Sequence, residues 1–162
     1  MSDVQDIPVN AAPDTAQDEA LAVRRLKLWI RMLGITRTVE NRLRDALRVD
    51  HDTTLPRFDV MAALWRNREG LTMTELSRLL LVSNGNATAV VDRLVSDGLV
   101  ARSPCDEDRR RVRVALTPEG LAQFERVAAD HRALIDRLFS GLTDADLDAA
   151  KLLMRRMKED LQ

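Results

Sequence analysis

The sequence predicts a mainly α fold with a small β wing, in which long helices flank a compact unit made of two short helices and a hairpin. Three observations predict it. Apolar residues recur at three- and four-residue spacing over most of the chain, the period of an amphipathic helix. Two short runs break that period, Leu99 to Ser103 and Arg111 to Leu116, and the turn-rich segment Pro104-Cys105-Asp106-Glu107-Asp108-Arg109-Arg110 joins them, as a hairpin connection would. Aromatic residues make up 3% of the 162 positions and hydrophobic residues 45%, so the core is aliphatic and of a size that one compact unit requires.

The elements follow in order. From Met1 to Ala20 the chain carries Asp3, Asp6, Asp14, Asp18 and Glu19 but no Lys or Arg, and residues 1–20 are expected to form a disordered acidic arm. A first long helix is expected within residues 21–52, starting near Glu19 and ending near Arg48, with Leu26, Ile30, Leu33, Val39, Leu43 and Leu47 on one stripe. A second should run from Pro56 to Arg68, since proline is tolerated in a first turn and Gly70 follows the end. Phe58, Met61, Ala62 and Trp65 form its apolar face.

Thr72-Met73-Thr74-Glu75 opens the next helix; threonine followed three residues later by glutamate forms a capping box. Met73, Leu76, Leu79 and Leu80 share its apolar face. After a turn at Leu81-Val82, Ser83 is placed to cap another helix. Its apolar side holds Ala87, Val90, Val91, Leu94 and Val95, and Gly98 ends it. The outward side carries Asn84, Gly85, Asn86, Thr88, Ala89 and Arg93, and such short side chains let a helix approach base edges in a groove about 12 Å wide. Thr117-Pro118-Glu119 starts a long helix whose stripe runs through Leu121, Phe124, Val127, Ala128, His131, Leu134, Ile135 and Leu138 to Gly141. Thr143 caps the last helix, with Leu142 and Leu147 as a hydrophobic staple and Ala150, Leu153, Met154, Met157 and Leu161 as its stripe.

From Thr72 to Thr117 the order is helix, turn, helix, strand, arginine-rich tip, strand, the layout of a winged helix-turn-helix that binds duplex DNA. Guanidinium groups at the tip suit fork-like phosphate contacts and insertion into a narrow minor groove. The candidate DNA-binding residues are Ser83, Asn84, Asn86, Thr88 and Arg93 on the second helix and Arg109, Arg110 and Arg111 in the wing. Asp108 stands two residues before Arg110 and supports it. The competing readings are structural: Arg93 pairing with Asp92, Asp97 or Glu75, Arg110 pairing with Asp108, and the Asn and Thr residues serving only as helix-end polar groups. The formal net charge of -1 does not decide against DNA, because arginines concentrate in the first helix and the wing while the acidic arm carries the balance.

The residues resemble the MarR family of dimeric bacterial transcription regulators. The resemblance is carried by Leu55-Pro56-Arg57-Phe58-Asp59, Thr74-Glu75-Leu76-Ser77, Val82-Ser83-Asn84-Gly85-Asn86, Asp92-Arg93-Leu94-Val95-Ser96-Asp97-Gly98-Leu99-Val100, and Asp108-Arg109-Arg110 followed by Val114-Ala115-Leu116-Thr117. It runs from about Leu26 to the C-terminus. It implies a DNA-binding module over residues 53–117, flanked by dimerisation helices over 21–52 and 118–162. Terminal helices that one chain buries incompletely point the same way, to a two-fold homodimer. Its recognition helices would enter successive major grooves of an inverted-repeat operator, about 34 Å apart.

The resemblance further implies a repressor released by a small-molecule effector lodged between the dimerisation helices and the module. Trp29, Leu33, Phe58, Met61, Ala62 and Trp65 are the candidate lining, with Arg31, Arg37, Arg57 and Asp59 as polar handles; the competing reading is ordinary core. An apolar wall beside arginine suits an aromatic acid, and the arginine excess of the first helix suits the phosphates of an aromatic acyl-CoA thioester.

Other classes find little support. The sequence has no phosphate loop, no dinucleotide-binding glycine pattern and no nucleophile with an evident base, so no enzyme activity and no cofactor are expected. His51, His131 and the single Cys105 match no metal-ligand spacing, and Cys105 is expected to be inert. No run approaches the roughly 18 apolar residues of a membrane span, and the N-terminus lacks the order of a secretory signal; a cytoplasmic protein is expected. The remaining alternative is a winged-helix module that binds protein without sequence-specific DNA binding.

Overall fold

A computed structural model of the chain describes residues 15–104 and 112–161. The expected acidic arm up to Asp14 and the wing-tip candidates Cys105, Asp108, Arg109, Arg110 and Arg111 lie outside the described residues. The element order is α1 (Thr15–His51), α2 (Leu55–Arg66), β1 (Leu71–Thr72), α3 (Met73–Leu80), α4 (Asn84–Ser96), β2 (Val100–Pro104), β3 (Val112–Leu116), α5 (Pro118–Leu138) and α6 (Asp144–Glu159).

Two compact units divide the chain at residues 39 and 40, inside α1. The first contributes the stretch of α1 from Thr15 to Val39. This helix reaches into the segment read as a disordered arm, because Ala16, Glu19 and Ala20 are good helix formers and Asp18 places negative charge in the first turn, where it suits the helix dipole. Leu26, Trp29, Ile30 and Ile35 are all exposed along it.

In the second unit the core gathers around α2. Leu64, Val60, Leu76, Val91, Leu94 and Val114 are its most deeply buried large side chains, and α2 packs against α3, α4 and α5. Each helix from α2 onward starts on a hydroxyl cap. Thr54 accepts from Arg57 N at 3.4 Å, Thr72 and Glu75 close the expected capping box, and Ser83, Thr117 and Thr143 cap α4, α5 and α6. The α6 box closes on Asp146, one methylene shorter than the usual glutamate.

The sheet has three antiparallel strands in the order β1-β3-β2. Strands β2 and β3 are the expected hairpin, in register from Val100↔Leu116 to Pro104↔Val112. Strand β1 was not legible in the sequence, because two residues are too few to show alternation. It pairs Leu71 with Val114 and Thr72 with Arg113, which anchors the start of α3 to the wing. Gly70 makes the approach possible: its φ is +84, and a Cβ there would stand 2.7 Å from the Val114 carbonyl oxygen.

Several expected apolar faces are less covered than their spacing implies. Leu79 is exposed on α3, although Leu76 on the same helix is fully buried, and Trp65 is only half-buried. Leu142, Leu147, Leu153 and Met154 are exposed, and α6 contains no buried residue. No helix among the described residues is long and apolar enough to cross a membrane.

The turn between α3 and α4 carries a local conflict. Leu81 caps α3 in the left-handed region at φ 55, ψ 37 with 91% of its surface exposed. A side chain with a Cβ costs about 1 kcal/mol in that region, and glycine is the usual residue there. Leu81→Gly is therefore expected to raise stability by about 1 kcal/mol in urea unfolding; a lower midpoint would mean that the leucine makes contacts its exposure does not reveal.

Candidate nucleic-acid interface

Helix α4 turns Ala87, Val91 and Leu94 into the core and leaves Gly85, Asn86, Ala89 and Arg93 exposed. Side-chain ties hold it at three levels. At its start, the hydroxyl of Ser77 on α3 donates to Asn84 Oδ1. In its middle, Asp92 pairs with Arg102 of β2. At its end, Asp97 Oδ2 forms an ion pair with Arg57 Nη2 of α2 at 2.6 Å, and Arg57 Nε is buried without a hydrogen-bond partner.

The predicted set behaves unevenly. Ser83 Oγ accepts from Asn86 N at 3.3 Å, and the Thr88 hydroxyl donates to the Asn84 carbonyl at 2.8 Å. Ser83, Asn84 and Thr88 therefore all take part in bonds that build the helix end, the structural role weighed against them above. The side chains of Asn86 and Arg93 do not, Asn86 contributing only its backbone N–H to the Ser83 cap. The three carboxylates nearest Arg93 in the structural reading are otherwise engaged: Asp92 with Arg102, Asp97 with Arg57, and Glu75 in its capping box. Arg93 forms no ion pair with a described residue.

The predicted effector lining is distributed rather than gathered. Arg57 and Asp59 border a cavity of about 650 Å³ between α2 and α4, which Asn86 and Arg93 border from the other side. Phe58 and Trp65 face a second cavity of about 350 Å³ between α2 and α5, with Phe124, His131, Arg66 and Arg132. Met61 is 4% exposed and lines neither, so it is core. Trp29, Arg31, Leu33 and Arg37 belong to the N-terminal unit, where Trp29, Arg31 and Arg37 are exposed and Leu33 is partly buried. The single stripe splits because Arg57 and Asp59 leave α2 on the side facing α4, while Phe58 and Trp65 face α5.

Electrostatics differ between the cavities. Burial raises the Asp59 pKa above the ordinary aspartate value, and the charge of Glu40 adds to it, against Arg44 and Arg66. Phe58 stacks on His131 with ring centres 4.3 Å apart and also contacts Phe124 at 5.5 Å. Burial lowers the His131 pKa.

Comparison with known proteins agrees with this geometry. The family profile described as the MarR family matches residues 53–112. A MarR family transcriptional regulator from Silicibacter pomeroyi superposes with a TM-score of 0.73 at 30% identity, covering 93% of this chain and 100% of that one. The chain belongs to the MarR family. Members of this family are transcription regulators and not enzymes. The HTH-type transcriptional repressor IacR of Pseudomonas putida is 32% identical over 111 residues, 68% of this chain. The match spans 66% of that repressor's own length, just under two thirds. A mutant MarR from E. coli, solved with operator DNA, superposes with a TM-score of 0.71 at 28% identity, covering 84% of this chain and 95% of that one.

Within this MarR-family module, sequence reasoning missed Ser77, Arg102 and the Arg57–Asp97 tie. Each joins residues on different elements, and a helical period carries no signal for that. His131 has a measurable consequence. Its neutral form is favoured in the folded state, so the unfolded chain takes up the proton first as pH falls. That contribution to stability is intact above the ordinary histidine pKa and is lost progressively below it, down to the folded value. Between pH 7.5 and 5.5 the wild type is expected to lose more thermal stability than His131→Phe; parallel losses would exclude His131 as the source.

Proposed function

We propose that this protein is a homodimeric repressor that binds an inverted-repeat operator in duplex DNA through α4 and the wing. The observation that carries the reading is Arg93, exposed on a helix braced at three levels, while its neighbouring carboxylates are held by other partners. A guanidinium so placed suits a phosphate or a base edge. In this reading Arg109, Arg110 and Arg111, which follow Asp108 in the sequence between β2 and β3, are the further DNA-binding groups. The exposed apolar residues of α1 and α6 support a dimer, because faces this apolar are ordinarily covered by a partner. The names of the relatives, a repressor and an operator complex, point the same way.

The effector we propose is an amphipathic acid of the aromatic carboxylate class, free or as its CoA thioester, seated in the cavity between α2 and α4. That cavity joins Pro56, Val60, Val82 and Val90 with Arg57 and Arg93, an apolar wall beside guanidinium groups. A ligand there faces Asn86 and Arg93, groups that DNA would also use, so it binds the DNA-free state better and shifts the population toward it.

Gel-shift titration against the duplex immediately upstream of the protein's own gene, with scrambled competitor, tests the DNA reading; a competitor-resistant shift is expected. Thermal-shift screening of aromatic acids and their CoA esters tests the effector, since a ligand of the native state raises apparent stability. Acids that stabilise the protein yet leave the DNA shift intact would refute the release mechanism.

A further inference from the structure

We propose that Asn84 contacts duplex DNA as a hydrogen-bond donor only, and that buried Ser77 is the positioning residue that makes it so. This rests on the DNA-binding reading above. Asn84 is the first residue of α4 and is exposed, whereas Ser77 on α3 is buried. The Ser77 hydroxyl donates to Asn84 Oδ1, with the Thr74 carbonyl 3.1 Å away as its alternative acceptor. The Thr88 hydroxyl secures the Asn84 backbone carbonyl at 2.8 Å. Both ends of the residue are thus fixed from within the protein.

A carboxamide offers one oxygen that accepts and one nitrogen with two donating hydrogens. With Oδ1 turned inward onto a buried hydroxyl, the nitrogen is the atom left facing outward from the start of α4. Asparagine reads adenine by using both atoms at once, accepting from N6 and donating to N7. That pairing is closed to Asn84 while Ser77 holds its oxygen. What remains open is an acceptor on DNA, either a phosphate oxygen or a base edge such as guanine O6 and N7. Ser77 would therefore affect which sequences bind without touching DNA.

The test uses the full chain and duplexes that the wild type enriches from a randomised pool. Asn84→Asp keeps an acceptor for Ser77 and places negative charge in the first turn of α4, where the helix dipole favours it, but it removes both donors. We expect an unchanged or higher Tm and at least tenfold weaker binding to the enriched duplexes. Loss that is uniform across sequences and is matched by Asn84→Ala, which adds no charge, identifies a phosphate acceptor; loss confined to duplexes with one particular base pair identifies a base edge.

Ser77→Ala frees the oxygen. Selection with this variant is expected to add adenine at the position Asn84 reaches if the contact is to a base. For either acceptor, Ser77→Ala should weaken binding several-fold on its own and add nothing to Asn84→Ala. Asn84→Asp binding within twofold of the wild type overturns the proposal, as does additivity of Ser77→Ala with Asn84→Ala. Failure of the wild type to enrich any sequence overturns the DNA reading itself, a result distinct from both.

Discussion

Gly120→Ala is expected to destabilise the fold by about 3 kcal/mol, the upper range for forcing atoms into a packed site, although alanine is intrinsically the better helix former by about 1 kcal/mol. An alanine Cβ at this position would stand 1.9 Å from the Leu99 carbonyl oxygen and 2.8 Å from its carbon. Neither side is free to retreat. Thr117 N donates to that same Leu99 oxygen at 3.1 Å, the Thr117 hydroxyl donates to Gly98 O at 2.7 Å, and Gly120 N donates back to the Thr117 hydroxyl at 3.0 Å. This knot joins the end of α4, the entry to β2 and the start of α5, so strain there reaches both α4 and the wing. Urea unfolding measures it. An unchanged midpoint would mean that α5 shifts away from Leu99 at little cost.

Arg93→Ala carries the largest expected effect on function. Deleting one guanidinium contact to a base or phosphate costs about 1–3 kcal/mol, so operator affinity should fall by roughly 10- to 100-fold at fixed salt. The Tm should not move, since Arg93 is exposed and forms no ion pair with a described residue. Salt dependence resolves the acceptor: loss of a phosphate contact lowers the slope of log affinity against log salt by about 0.9, whereas loss of a base contact leaves the slope unchanged and relaxes specificity at one position. Affinity that survives Arg93→Ala would remove the centre of α4 from the interface.

Much of this architecture was legible in the sequence because it is written in local signals. Thr72, Ser83, Thr117 and Thr143 mark helix starts by cap chemistry that acts over three residues, and the change of apolar period after Gly98 marks the hairpin. What was not legible depends on contacts between elements. Ser77 carries no local signal of its role, and only the packing of α3 against α4 brings its hydroxyl to Asn84. Arg57 was read as a ligand handle. It does border a cavity, yet its guanidinium is also committed to Asp97 on another helix. Leu79 and Trp65 fitted apolar stripes but emerge exposed or half-buried, because periodicity assigns a face without saying whether anything covers it. Much of the α1 and α6 stripes is likewise exposed in one chain, and a dimer would cover it.

Whether this MarR-family chain reads duplex DNA through a cationic face is tested most directly by its affinity for an enriched duplex across a salt series from about 50 to 200 mM. A face that neutralises several phosphates predicts a steep linear decline in log affinity, about 0.9 per phosphate, amounting to a thousandfold or more if six or more are engaged. A decline reduced in slope or specificity by Arg93→Ala would tie that face to α4. Binding that is absent at low salt, or indifferent to salt, would contradict the account and favour a winged-helix module whose partner is a protein.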